Sequence, residues 1–229
     1  MIAHHPADEW LLRAAAGTLD AGAAIVISAH LEGCAHCRAG VRAFEDVGGA
    51  MLESMEPALL APEALARTLA RIDAPAHAPA PAHAPKVAAA SARAAGARPR
   101  PALPPGVSWP RSLDGCAVSR WRWMGPGMRW SRVEVPNADD ANVFLLRIGA
   151  GKALANHTHS GLELTHVMCG SFHDGRSRFA AGDFDAADGS VRHQPVLEDG
   201  GECICLASVQ GRLVFDSAIA RAIGSLVGI

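Results

Sequence analysis

The 229-residue sequence predicts a two-domain α plus β chain: an all-α domain over residues 1–73, an extended linker over 74–105 and an all-β domain over 106–229. Three observations predict it. Apolar residues recur at helical spacing through the first third of the chain. A run dominated by Ala and Pro follows, as in APAHAPAPAHAP. Beyond it the apolar period shortens to two, with Gly, Asp and Pro between short runs.

In the first domain, Pro6, Asp8 and Glu9 suit a first helical turn, and Trp10, Leu11, Leu12, Ala15 and Leu19 follow at helical spacing. Ala21–Leu31 is a second apolar segment. Val41, Phe44, Val47, Met51, Leu52 and Met55 make Ala35–Met55 a long amphipathic helix. Gly48 and Gly49 within it are each unfavourable by about 1 kcal/mol and read either as a place of close approach for a partner or as a kink. Pro62 suits the start of a short fourth helix through Ile72. The Ala/Pro segment cannot bury enough apolar area to offset its ordering entropy, so it reads as an extended linker. His77 and His83 within it read as solvated.

The β domain is drawn from Trp121/Trp123, Val133/Val135, Val143–Ile148, Leu162–Met168, Phe172, Phe179, Val191, Cys203–Val209 and Leu213–Phe215, a sandwich or barrel pattern. The apolar tail SAIARAIGSLVGI is expected to pack on it or on a second copy of the chain.

Net charge is −2, unevenly spread. Residues 1–73 hold 5 basic and 10 acidic side chains, the linker 4 basic and none acidic, and the last segment 12 and 13. An acidic first domain argues against direct nucleic-acid binding and fits a basic protein partner. The start MIAHHPADEW lacks the basic and apolar regions of a signal peptide, and no run of about 18 apolar residues marks a membrane span. The expectation is a cytoplasmic protein, whose six cysteines point to metal or redox chemistry rather than a disulfide framework.

Two constellations carry that chemistry. His30, Cys34 and Cys37 lie in the run HLEGCAHC, with the pair His4–His5 about 25 residues earlier. Two thiolates and two imidazoles make a closed tetrahedral zinc site, structural because it leaves no position for substrate. Offsets of 0, 4 and 7 fall on one side of a helix, or of a helix–turn–helix broken at Gly33, with the remaining histidine on a neighbouring helix. A CxxC redox pair without metal is the competing reading, and it lacks the βαβ surroundings expected of one. Downstream, His157 and His159 alternate on one strand face, and Glu163 keeps their parity if the strand resumes after Gly161. Cys203 and Cys205 also share a strand face, either as small buried hydrophobes or as an oxidisable pair with Cys169 or Cys116 in reach. Trp121, Trp123 and Trp130 read as core or rim packing.

The spacing G-x5-H-x-H-x3-E-x6-G from Gly151 to Gly170 resembles the first motif of the cupin superfamily, a double-stranded β-helix barrel with a metal inside. That resemblance implies His193 as a fourth ligand. The second motif departs from the family pattern: Asp188 stands where proline is usual, Gly189 lies four residues before His193, and Leu197 replaces asparagine. A site of His157, His159, Glu163 and His193 suits Fe, Mn, Ni or Zn.

Taken together, HLEGCAHC after an early histidine, the cupin motif, GLELTHVMCGSF and the Cys203–Ile204–Cys205 triplet resemble ChrR-type zinc anti-sigma factors over essentially the whole chain. The resemblance selects His5 over His4 and implies a first zinc on His5, His30, Cys34 and Cys37. It implies that the helical domain sequesters an extracytoplasmic-function sigma factor, and that the cupin releases it on an oxidative signal, singlet oxygen being the one known for the family. Zinc is the expected second metal, with another divalent ion as the alternative. Cys203 and Cys205 would be the redox-sensing pair, and the cupin could form a homodimer. No enzymatic activity is expected. The rival is a metal-dependent, dioxygenase-like cupin enzyme carrying an accessory helical domain. It leaves the appended zinc domain without a purpose, and fold alone assigns no chemistry.

Overall fold

The computed structural model describes residues 1–74, 100–198 and 201–216. Most of the linker, and the tail expected to pack on the barrel, lie outside these. Four helices come first: α1 (Asp8–Ala15), α2 (Ala21–Gly33), α3 (Ala35–Glu53) and α4 (Ala64–Asp73). α2, α3 and α4 lie within two residues of the expected spans, while α1 stops at Ala15, four residues short of Leu19, because Gly17 (φ +65°) turns the chain. Asp8 and Glu9 occupy the first turn of α1 and Arg13 its last, complementing the helix dipole. Asp20 caps α2 by accepting from Ala23 N at 2.9 Å.

α2 is apolar on every side (AGAAIVIS), and a helix of that kind must be covered all round. The cover comes from the strands. Ala23, Ile25, Val26, Ile27 and Ala29 pack in one cluster with Leu113, Val133, Leu145, Leu164, Ile204 and Leu206. Burying each of the three branched side chains contributes about 1.5–3 kcal/mol.

The strands are β1 (Ala117–Val118), β2 (Arg122–Gly125), β3 (Met128–Glu134), β4 (Val143–Ile148), β5 (His157–His159), β6 (Glu163–Cys169), β7 (Ser171–His173), β8 (Arg178–Ala180), β9 (Phe184–Ala187), β10 (Val196–Leu197), β11 (Cys203–Val209) and β12 (Leu213–Phe215). The large antiparallel sheet runs β1-β3-β4-β11-β6-β9, with β2 on β3; β10-β7-β8 and β12-β5 form the smaller sheets. All seven β11 residues are buried because both faces are covered. Ile204 and Leu206 point under α2, while Cys203, Cys205, Ala207 and Val209 join Trp130, Phe144, Phe172 and Phe179 in the inner core.

The three tryptophans divide. Trp130 is buried, Trp121 is partly covered with Arg147 over its ring, and Trp123 is 71% exposed.

Gly170, the last glycine of the barrel motif, has φ +75°, and a Cβ there would meet Glu202 O at 2.4 Å and the Cys203 Cα at 2.7 Å. Gly170→Ala is therefore expected to cost about 1–3 kcal/mol and to lower the melting temperature by about 2–12 °C, as read by thermal denaturation. An unchanged melting temperature would show that this turn relaxes freely.

Candidate metal centres

The first centre forms where three segments meet. α2 ends at Cys34, whose extended backbone (φ −106°, ψ 102°) also starts α3. The break falls at Cys34, one residue beyond the expected Gly33, because Cys34 caps the new helix: its Sγ accepts from Cys37 N at 3.4 Å. His5 lies in the extended segment before α1 rather than on a helix. Its Nδ1 is 3.3 Å from both Cys34 Sγ and Cys37 Sγ, and His30 Nε2 is 3.3 Å from Cys37 Sγ. All four donor atoms fall within 4.8 Å of one another. Zinc bonds of 2.0–2.3 Å imply tetrahedral donor separations of about 3.3–3.8 Å, so the spacing fits that ion. His30 Nδ1–H donates to Gly182 O at 2.9 Å, which leaves Nε2 as a bare lone pair aimed at the thiols.

Burial pushes the Cys37 thiol up to about 12, with Cys34 adding to it. A cation reverses that penalty by binding the thiolate. Burial also lowers the His30 pKa, keeping the ring neutral and able to ligate. His4 faces away, its Nε2–H donating to Arg178 O at 3.0 Å, and His36 is exposed.

The second centre lies inside the barrel. β5 places His157 and His159 on its inner side, and β6 opens with Glu163. An isolated bridge brings His193 opposite His157. All four are buried, with donor atoms within 4.8 Å of one another. His159 Nε2 and Glu163 Oε2 are 2.7 Å apart. His157 Nδ1–H donates to Ala155 O at 2.8 Å and His193 Nδ1–H to Asp174 Oδ2 at 3.3 Å. Both Nε2 atoms are then lone pairs facing each other at 3.1 Å. Two such lone pairs repel unless a cation lies between them, so this centre also fits a metal. Burial lowers the pKa of His157 and His193. For His159, burial acts the same way, but the hydrogen bond and charge of Glu163 outweigh it and raise the pKa.

Asp174, Arg176 and Asp185 surround this centre and were not anticipated. Arg176 donates to Asp174 Oδ2 through Nε at 2.7 Å and to Asp185 Oδ2 through Nη2 at 2.8 Å. Asp174, Asp185 and His193 also lie close enough to share an ion, but the guanidinium already balances the two carboxylates. Burial raises Asp185 to about 6 despite Arg176. These residues follow no local motif, and only barrel closure brings them to His193.

Beside the ligands a cavity of about 40 Å³ is lined by Leu146, Ile148, Phe172, Leu197, Cys203 and Cys205. Such a volume takes one or a few water-sized molecules. The two sulfurs lie 3.7 Å apart, well beyond the 2.05 Å of a disulfide. Cys116 and Cys169 pack on the outer cluster and Cys203 and Cys205 in the inner one.

Residues 113–211 match the family described as the ChrR cupin-like domain. The chain is 37% identical to the anti-sigma-E factor ChrR of Cereibacter sphaeroides over 220 residues, covering 96% of this chain and 95% of that protein. The chain belongs to the ChrR family of anti-sigma factors. A crystal structure of Rhodobacter sphaeroides SigE in complex with the anti-sigma ChrR aligns with a TM-score of 0.68 and 34% identity, covering 92% of this chain and all of that one. The relationship extends through helices and barrel together, so the regulator stands and the dioxygenase-like alternative does not. Among the described residues, no helix is long and apolar enough to cross a membrane.

Proposed function

We propose that this chain is a cytoplasmic zinc anti-sigma factor that sequesters an extracytoplasmic-function sigma factor and releases it on an oxidative signal received in the barrel. The observation that carries the reading is a pair of uncovered apolar stripes. The first half of α3 is covered, with Val41 and Phe44 packed beside Leu11. The second half is bare: Val47, Met51 and Leu52 are exposed, as are Met55, Leu59 and Leu60 beyond the helix. On α4, Leu65, Leu69 and Ile72 recur at helical spacing, with Leu65 71% and Ile72 72% exposed. Nothing among the described residues covers either stripe. Amphipathic helices of this kind dock into grooves of a protein partner, and the acidic first domain complements the basic surfaces that a sigma factor turns toward DNA and polymerase. With domain boundaries of 1–73, 74–105 and 106–229, this binding face lies on the helices α3 and α4 of the first domain, while α2 packs on the barrel of the last.

In this reading His5, His30, Cys34 and Cys37 hold a structural zinc, and His157, His159, Glu163 and His193 hold a second one that maintains the barrel's conformation. Zinc suits the second site because the role needs no redox chemistry of the ion. Oxidation acts on a ligand or on Cys203 and Cys205 and loosens the site. The cavity of about 40 Å³ beside Cys203 and Cys205 offers room for a water-sized oxidant next to the ligands.

Co-expression with an extracytoplasmic-function sigma factor of the same organism, followed by pull-down, tests the reading. The wild-type chain should capture the sigma factor and carry close to two zinc ions. Met51→Glu with Leu69→Glu should abolish capture while changing stability by no more than about 0.5 kcal/mol each, since both side chains are exposed. Undiminished capture by that double variant would move the binding face elsewhere.

A further inference from the structure

The two imidazoles of the first centre are positioned by the barrel, and the two thiols by the helices. Asp183, in the turn between β8 and β9, accepts from Ala3 N at 2.6 Å and from His4 N at 3.0 Å through Oδ1. Phe184 N, at the start of β9, donates back to His4 O at 3.1 Å, so the segment before α1 is tied to the turn that leads into β9. The ring of His4 rests on Phe179 at 4.6 Å. Ile2 wedges between this turn and the end of α2: a Cβ on Gly182 would meet it at 2.7 Å, and one on Gly33 at 3.9 Å. Gly182 (φ +95°) turns its carbonyl to His30 Nδ1. His5 is thus held through its neighbour and His30 directly, both by residues 182–184.

The same strand reaches the second centre. β9 pairs with β6 from His166↔Phe184 to Glu163↔Ala187, about 10 Å along the ladder. Asp185 on β9 joins Arg176, Asp174 and His193 in one chain of hydrogen bonds.

We propose that Gly182 and Asp183 are positioning residues for the first metal centre, and that β9 couples its affinity for metal to occupancy of the barrel centre. The inference rests on the two-zinc reading above. Outer partners of metal-bound histidines typically change affinity 10- to 100-fold when removed. Coupling between two sites is reciprocal, so metal in the barrel tightens the helical centre and loss of it loosens that centre.

The test uses the full chain loaded with cobalt in place of zinc. The thiolate-to-cobalt charge-transfer band reports the Cys34/Cys37 centre alone, since no thiol is among the four barrel ligands, and a chelator measures its release. Asp183→Ala should release this cobalt about tenfold faster or more. Asp183→Asn, which keeps an acceptor for Ala3 N and His4 N, should fall between that variant and wild type. Removal of residues 1–3 takes away the Ala3 bond to Asp183 and the Ile2 contact with Gly182 while leaving every barrel residue in place, and should speed release as Asp183→Ala does; if Asp183→Ala fails to fold, this variant decides. Wild-type release rates in the truncated chain, with hydrogen exchange showing its N-terminus detached, would overturn the positioning role. His157→Ala with His159→Ala should also speed release severalfold, and an unchanged rate would overturn the coupling. A wild-type chain lacking the charge-transfer band would fail the metal reading itself, and this inference with it.

Discussion

Cys34→Ala is expected to remove zinc from the helical centre, unravel the start of α3 and abolish sigma-factor capture together. One side chain serves three ends. It is a proposed ligand, its extended backbone (φ −106°, ψ 102°) ends α2 and starts α3, and its sulfur caps Cys37 N. Structural zinc in small domains contributes on the order of 10–16 kcal/mol of apparent binding energy at neutral pH, far more than the α1–α3 contacts around Leu11, Val41 and Phe44 supply. Helical circular dichroism should fall through α1 and α3, the helices packed around the thiols. The α2 signal and the barrel should survive, because α2 is held by Leu145, Leu164, Ile204 and Leu206 rather than by metal. His30→Ala should behave alike, with the added loss of the Gly182 contact. Metal analysis, circular dichroism and pull-down of the same preparation read all three effects. A Cys34→Ala chain that is metal-free yet helical and still captures the sigma factor would show that the site is not structural.

The sequence was most legible where function depends on short spacings. The run from His30 to Cys37 and the motif from Gly151 to Gly170 each place donors within a few residues across a single break, between α2 and α3 or between β5 and β6, so spacing brings them close together. It was least legible where the fold joins distant segments. His5 gives no local sign of lying in an extended strap, since that conformation is imposed by Asp183 about 180 residues away. The site of α2 did leave a trace. AGAAIVIS has no polar face, and a helix without one belongs inside; the strands that cover it are named only by the topology. Gly48 and Gly49, read either as a place of close approach for a partner or as a kink, meet nothing within 4 Å in the described chain, and α3 runs through both without a break. Asp174, Arg176 and Asp185 were silent because the β7–β8 loop delivers the first two and β9 the third, and only barrel closure brings them to His193.

Replacing both barrel histidines, His157→Ala with His159→Ala, should leave the sigma factor repressed in unstressed cells and abolish its induction by oxidants. Repression survives for a quantitative reason. A tenfold loss of affinity at the helical centre is about 1.4 kcal/mol, small against the 10–16 kcal/mol on the order of which such a site binds, so that centre stays filled. The stripes on α3 and α4 lie outside the barrel and remain available. Induction fails because the signal acts on a metal-held arrangement: without the ion, oxidation of Cys203, Cys205 or a ligand has no second state to release. Glu163→Ala should weaken induction less, since three imidazoles remain. A promoter dependent on the sigma factor, fused to a reporter and measured with and without oxidant, separates the outcomes. Sigma activity that is constitutively high in the double variant would mean that the barrel metal maintains repression itself, and normal induction would place the sensor outside the barrel.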